Sequence, residues 1–357
     1  MPTATIKTNF MQKIYLLFLL LPLAFHVHAQ NWNEEEPWSK QLLNKEVLKQ
    51  VDLSTLGGNI SVSGVDVSEA RIEVYIHPNN RRNNESFTKA QIEERLKNYE
   101  LRIEVANQKL TAFARHKEKD LDWREALSIS FRVFVPQQIS CLLSTSGGNI
   151  SLINLSGTQD FKTSGGNLFI DRLSGIIKGR TSGGNINVKN TRDFIDLSTS
   201  GGSIHANNCM GTVSLQTSGG SLTLHTLQGV IDASTSGGSI NGSQIAGELK
   251  THTSGGSIKL TALSCSIEAS TSAGKMEIAI VKPGEYVRLT NSGGNIDLQL
   301  PATAKMNMQV NAQRIESAAL SNFDGTMDRE EVSGKINGGG IPVRVRASSG
   351  KVSLNVK

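Results

Sequence analysis

The stretch TSGGNI at residues 145–150 decides the reading of this chain, because it keeps returning. TSGGNL follows at 163, TSGGNI at 181, TSGGSI at 199, TSGGSL at 217, TSGGSI at 235 and 253, and TSAGKM at 271, each 18 residues after the last. Counting places from the Thr, the sixth holds Ile150, Leu168, Ile186, Ile204, Leu222, Ile240, Ile258 and Met276. The eighth is largely aliphatic, from Leu152 and Ile170 to Ile278, with Gly242 interrupting. The fifteenth holds Ile177, Ile195, Val213, Ile231, Leu249 and Ile267, with Gln159 as the exception, and the seventeenth is mostly apolar.

Places six and eight differ by two, as do fifteen and seventeen. That is the alternation of a strand, not the period of a helix. Each repeat thus predicts two short strands with one apolar face each. Neither buries that face alone, so coil must stack on coil at about 4.8 Å. The prediction is an all-β fold, a parallel β-solenoid of 18-residue coils, about 38 Å long over the eight coils from Thr145. A left-handed hexapeptide helix would need an aliphatic residue every six places, which is absent. The Gly-Gly pair at places three and four is expected to reverse the chain through positive φ. The Thr at place one is expected to face inward and hydrogen-bond, and Asn or Ser at place five to bond locally or stack as a ladder.

Outward from the array, composition agrees. Aromatic residues are 5% of the 357 residues and Gly numbers 34, which suits a thin core with many turns. Residues 1–29 read as a signal peptide: Lys13, an apolar run Ile14–Ala24 and a Val27–Ala29 cleavage site. Met11 could equally start it. The run is too short to span a bilayer, which takes about 20 residues, and no later segment is apolar enough. Losing Lys7 and Lys13 with that segment lowers the formal +5 by two, too little to argue for nucleic acid. The three cysteines, Cys141, Cys209 and Cys265, are an odd number and read as buried free thiols.

The predicted organisation is a polar lead-in at 30–46, with room for a short helix, and a first solenoid coil at 47–66 carrying TLGGNI at Thr55. A small α+β insertion or cap follows at 67–140. Its helix is expected around Ile92, Leu96 and Tyr99, with Ser86 as its cap. Regular coils occupy 141–300, with a two-residue bulge near Pro283-Gly284. Irregular last coils and a C-terminal cap occupy 301–357. SSGKV at Ser348 places the final coil at the C-terminus.

Four features bear on chemistry. Place sixteen reads Asp160, Lys178, Asp196, Ser214, Asp232, Lys250 and Glu268. Its acids lie two rungs apart, about 9.6 Å, and the alternating signs predict exposed ion pairs rather than a catalytic pair. The histidines have no HExxH or CxxC context, so no metal or cofactor site is nominated. Near-identical Ser-Gly-Gly turns argue against one active Ser. What remains is the outward face at places seven and nine: Asn187, His205, Thr223, Asn241 and Lys259, with Asp171, Lys189, Asn207 and His225.

GGNISVSG, an inserted helix, a strand ending FRVFVP, the TSGGNI/TSGGSI coils, GGNIDLQLP, GKINGGG and a closing SSGKVSLNV occur in that order over residues 47–357. This order resembles the bacterial putative-adhesin family, a domain of unknown function in cell-envelope proteins. It is similar to the adhesin-head domains of Bacteroidetes surface proteins. The resemblance implies a right-handed β-solenoid and brings no catalytic or ligand residues with it. The expected function is that of a non-enzymatic, exported interaction or scaffold module, periplasmic, outer-surface or secreted. Its partner would be an envelope polymer or surface protein (glycan, peptidoglycan or protein). The alternative is a polysaccharide-degrading β-helix enzyme, lyase or hydrolase. Oligomeric state stays open.

Overall fold

The structure is a computed structural model and describes residues 36–43, 47–79, 87–117 and 126–357. The signal-peptide reading of 1–29 and the Ser86 cap fall outside the described residues. The fold belongs to the unit from Pro37 to Lys357.

The chain opens with β1 (Ser39–Leu42), β2 (Gln50–Thr55), β3 (Ile60–Val65) and β4 (Arg71–Pro78). Next come α1 (Lys89–Leu96), β5 (Tyr99–Ala106), β6 (Lys109–His116) and β7 (Leu127–Pro136). β8 (Ser140–Thr145) and β9 (Ile150–Lys162) begin the regular array. It continues as β10 (Leu168–Thr181), β11 (Ile186–Thr199), β12 (Ile204–Thr217), β13 (Leu222–Thr235), β14 (Ile240–Thr253) and β15 (Ile258–Thr271). β16 (Met276–Ile280), β17 (Val287–Asn291), β18 (Ile296–Leu300) and β19 (Met306–Ser317) come next. β20 (Phe323–Met327), β21 (Glu331–Ile336) and β22 (Ile341–Val356) complete the order.

From β9 to β15 every neighbour is parallel and in 18-residue register: Ile186 pairs with Ile204, Ile204 with Leu222, and Thr199 with Thr217. The predicted columns are therefore vertical, and they form one continuous buried core. The fold is the parallel β-solenoid expected from the period.

Each coil has three inward-facing sides, not two. Place eleven adds a buried column of Leu155, Leu173, Thr191, Cys209, Leu227, Ile245 and Leu263. The corners that create this side are residues with positive φ. Place ten is left-handed in Asn154, Arg172, Asn190, Asn208, Thr226, Gln244 and Ala262, and place thirteen in Gly157, Gly175, Asp193, Gly211, Gly229 and Gly247. Asp193 is the one non-Gly residue with positive φ at that second corner, Cys265 standing there without it, and the Asp193 carboxylate accepts the Gly175 amide at 2.8 Å.

The Gly-Gly turn does another job than the one expected. None of the pairs from Gly147-Gly148 to Gly255-Gly256 has positive φ. Place four is Gly because the coils touch there: a Cβ on Gly202 would lie 2.0 Å from the Gly184 carbonyl oxygen. This close column runs from Gly58 through Gly148 and its successors to Gly294 and Gly350. Place three is roomy, since a Cβ on Gly201 meets nothing nearer than 3.5 Å.

Side chains tie the turns together. Buried Thr199 donates its hydroxyl to the Gly184 carbonyl at 2.8 Å and accepts the Gly202 amide at 3.3 Å. The same pair of bonds recurs at Thr163, Thr181, Thr217, Thr235 and Thr253. At the turn that Asn291 opens, Asn291 divides the roles, its Nδ2 donating to the Gly274 carbonyl and its Oδ1 accepting the Gly294 amide. At place five the Asn or Ser oxygen accepts the backbone amide of the next coil, as in Asn185 to Asn167 at 2.7 Å and Ser221 to Ser203 at 3.1 Å.

Stacking order departs from chain order at both ends. β2 lies between β8 and β6, and β3 between β9 and β7, so part of the insertion forms the rung outside the first coil. β5 then runs antiparallel on β6, β4 antiparallel on β7 and β1 antiparallel on β4. The lead-in residues 39–42 are thus a strand rather than a helix. Ile92 and Leu96 of α1 pack against the core. Thr88 caps this helix in a box with Gln91, and Tyr99 falls on the following strand. Buried Tyr99 ties the strands: its hydroxyl accepts the Leu127 amide at 2.7 Å and lies 2.8 Å from His116 Nε2.

At the other end β22 pairs with β17 and β18 on one side and with β19 on the other. The C-terminal strand is therefore not the last rung, contrary to the sequence expectation. β19 lies outside it, followed by antiparallel β21 and β20. Among the described residues no helix is long and apolar enough to cross a membrane.

Candidate functional site

Strand parity places two polar rows on the outside of the coil. Place seven aligns Asn187, His205, Thr223, Asn241 and Lys259, and place nine aligns Asp171, Lys189, Asn207, His225 and Ser243. Asn187 is half-buried, and Lys189, His205, Asn207, Thr223, His225, Asn241 and Lys259 are exposed. The ladder brings the two rows side by side.

Their side chains are partly engaged with one another. His225 Nδ1 lies 2.8 Å from Ser243 Oγ, and Lys189 Nζ lies 3.7 Å from Asp171. Lys259 Nζ is 3.4 Å from Glu277, which also meets Lys275 at 2.7 Å. The hydrogen bond from Lys275, aided by Lys259, holds the Glu277 carboxyl below its usual value. The same Lys275 bonds Asp297 at 2.6 Å, and these two carboxylates keep its ammonium strongly protonated. Place seven therefore changes along its length, from Asn187, His205 and Thr223 to the ion-paired Lys259 and Glu277.

Place sixteen departs from expectation. Asp196 reaches Arg180 of place eighteen at 3.9 Å, and Glu268 reaches Arg288 at 3.7 Å. Among the described residues, Lys178 and Lys250 make no ion pair with the acids above or below them. The Asp196–Arg180 pair leans diagonally across the rungs, whereas Glu268 and Arg288 are ladder partners in one column.

A trough on another corner was missed by the sequence reading. It has a volume of about 690 Å³ and is lined by Ser144, Lys162, Arg180, Ser198 and Gln216 of place eighteen and by Ser146, Ser164, Ser182, Ser200 and Ser218 of place two. The Thr residues between them turn inward, so their two neighbours splay apart and leave a channel along the stack. The available signal was the parity of that Thr: if it points in, places eighteen and two must flank it outside. Nearby, place fourteen exposes Ile176, Phe194 and Val230.

The remaining reactive groups sit apart. Cys141, Cys209 and Cys265 are free and buried, and burial pushes their thiols up to about 12, 11 and 12 respectively. His252 stands on place eighteen, 2.8 Å from Ser270 Oγ. Gln159 donates its amide to the Ile139 carbonyl at 2.7 Å inside the core, while among the described residues its Oε1 finds no partner.

Residues 177–355 match the family described as Toastrack DUF4097. A solved structure of a putative adhesin from Bacteroides fragilis is 12% identical, covering 88% of this chain and 96% of that one, with a TM-score of 0.23. A putative cell adhesion protein from Clostridium sporogenes is 10% identical, covering 90% and 100%, with a TM-score of 0.19. No curated protein matches.

Proposed function

We propose, for a chain that belongs to the Toastrack DUF4097 family, an exported, non-catalytic role as an adhesin-like module of the cell envelope. The solenoid is a rigid support, and its polar rows hold an extended envelope polymer or surface protein through many weak contacts. The observation that carries this reading is the in-register pairing of Asn187, His205, Thr223, Asn241 and Lys259 on an outward face. A periodic partner meets equivalent groups at about 4.8 Å steps. Individually weak contacts then add, because the ladder already fixes their spacing.

The test is binding of the full chain to purified envelope glycans, peptidoglycan sacculi and surface protein. His205→Ala, His225→Ala and Lys259→Ala combined should weaken the bound partner by about tenfold or more. Full retention by that variant sinks the assignment of this face. New reducing or unsaturated ends in any polysaccharide incubated with the protein would replace the binding role by an enzymatic one.

A further inference from the structure

We propose that the trough between places eighteen and two is a second binding surface, taking an extended glycan that carries carboxylates. It lies on a different corner of the coil from the rows at places seven and nine.

The trough spans five rungs, about 19 Å at ladder spacing. Its floor is closed to new main-chain bonds. The amides of Ser182 and Gly183 both donate to the Ser164 carbonyl, at 3.1 and 2.8 Å, and Ser200 and Gly201 repeat this on Ser182. The inward Thr hydroxyls are likewise committed on both sides. A peptide cannot add there as an extra strand, since strand addition needs free backbone groups.

The walls, in contrast, are available. Among the described residues, the hydroxyls of Ser164, Ser182 and Ser200 make no hydrogen bond. Each can donate and accept, which is what sugar hydroxyls also do. Two rungs, about 9.6 Å, are close to the advance of one disaccharide in an extended chain. At one end Lys162 and Arg180 occupy adjacent rungs of the same wall. Lys162 has no ion pair among the described residues, and Arg180 reaches its Asp196 only at 3.9 Å. Two neighbouring cations with slack counter-charge suit a single carboxylate held between them. Among the described residues no aromatic side chain lines the trough, so they supply no stacking platform for a single-stranded nucleic acid.

The experiment titrates the full chain with β-1,4-tetramannuronate, with the neutral β-1,4-mannotetraose and with tetraglutamate. The acidic sugar should bind about tenfold tighter than the neutral one. Lys162→Gln with Arg180→Gln should abolish that difference. Ser182→Ala with Ser200→Ala should weaken both sugars by roughly threefold or more. The variant at His205, His225 and Lys259 should keep the preference for the acidic over the neutral sugar, which assigns that preference to this corner and separates its failure from failure of the face proposed above. The inference is overturned by absence of tetramannuronate binding, by tetraglutamate binding equally well, or by affinity that survives Lys162→Gln with Arg180→Gln.

Discussion

Gly201 and Gly202 look interchangeable in the sequence and differ sharply in the structure. Gly202→Ala would drive a Cβ to 2.0 Å from the Gly184 carbonyl oxygen, whereas Gly201→Ala finds 3.5 Å. We expect the first to cost more than about 3 kcal/mol and the second less than about 1 kcal/mol, read as shifts in thermal midpoint. Ala273, which stands at place three of its own turn, is a natural instance of the tolerated change. Thr199→Val should cost about 2 kcal/mol or more, because it leaves the Gly184 carbonyl and the Gly202 amide buried without their partner. Thr199→Asn should recover part of that loss, as Asn291 does at its own turn. Repetition made these positions visible in the sequence, but not the reason for them. A period reveals that coils superpose, not which atoms then touch. Glu73 adds a pH dependence. Burial raises its carboxyl, but hydrogen bonds from Arg71 and Tyr75 outweigh this and hold it below the usual carboxylate value. A lowered folded value means stability present above the unfolded value and lost as pH falls through the folded one. Acid unfolding of Glu73→Gln should therefore be less steep below about pH 4.3 than that of the parent.

Single rungs show where alternation stops being informative. Places six to nine and fourteen to one obey a period of two, so their inward columns and the outward rows with His205 and His225 could be read directly. The third side could not. It depends on left-handed residues at place ten, where Asn154, Asn190 and Asn208 give a hint but Arg172, Thr226 and Ala262 give none. The trough escaped for a related reason, since it arises from the splay of two side chains around a buried Thr rather than from any residue type. The third side also governs thiol chemistry. Cys209 lies in its buried column, its thiol pushed up to about 11 by burial. Labelling of Cys209 at pH 8 should be at least about a hundredfold slower in the folded protein than in denaturant. Fast labelling would mean that this side opens by itself.

At the scale of the whole molecule, the 18-residue step and the stacking order lead to opposite expectations for two deletions. Removing residues 199–216 excises one full coil and rejoins identical registers, so the product should fold and sediment in the same assembly state as the parent. Removing residues 341–357 takes out β22, which is bonded on both of its edges. It leaves β17 and β18 exposed on one side and β19 on the other, and unpaired edges invite association. That product should sediment as larger, polydisperse species. The family resemblance and the solenoid were both readable in the turns, and the family match over 177–355 agrees with them. The insertion of β22 inside β19 was not, because worn turn motifs mark membership of the stack and not position within it.

The antiparallel strands that finish both ends have a further consequence. Since β1, β4 and β5 close one terminus and β20 and β21 the other, the fittings at the extremities do not depend on how many storeys stand between them. Reach can then be tuned by duplicating or losing interior units, as a table takes extra leaves, while its two ends stay the same.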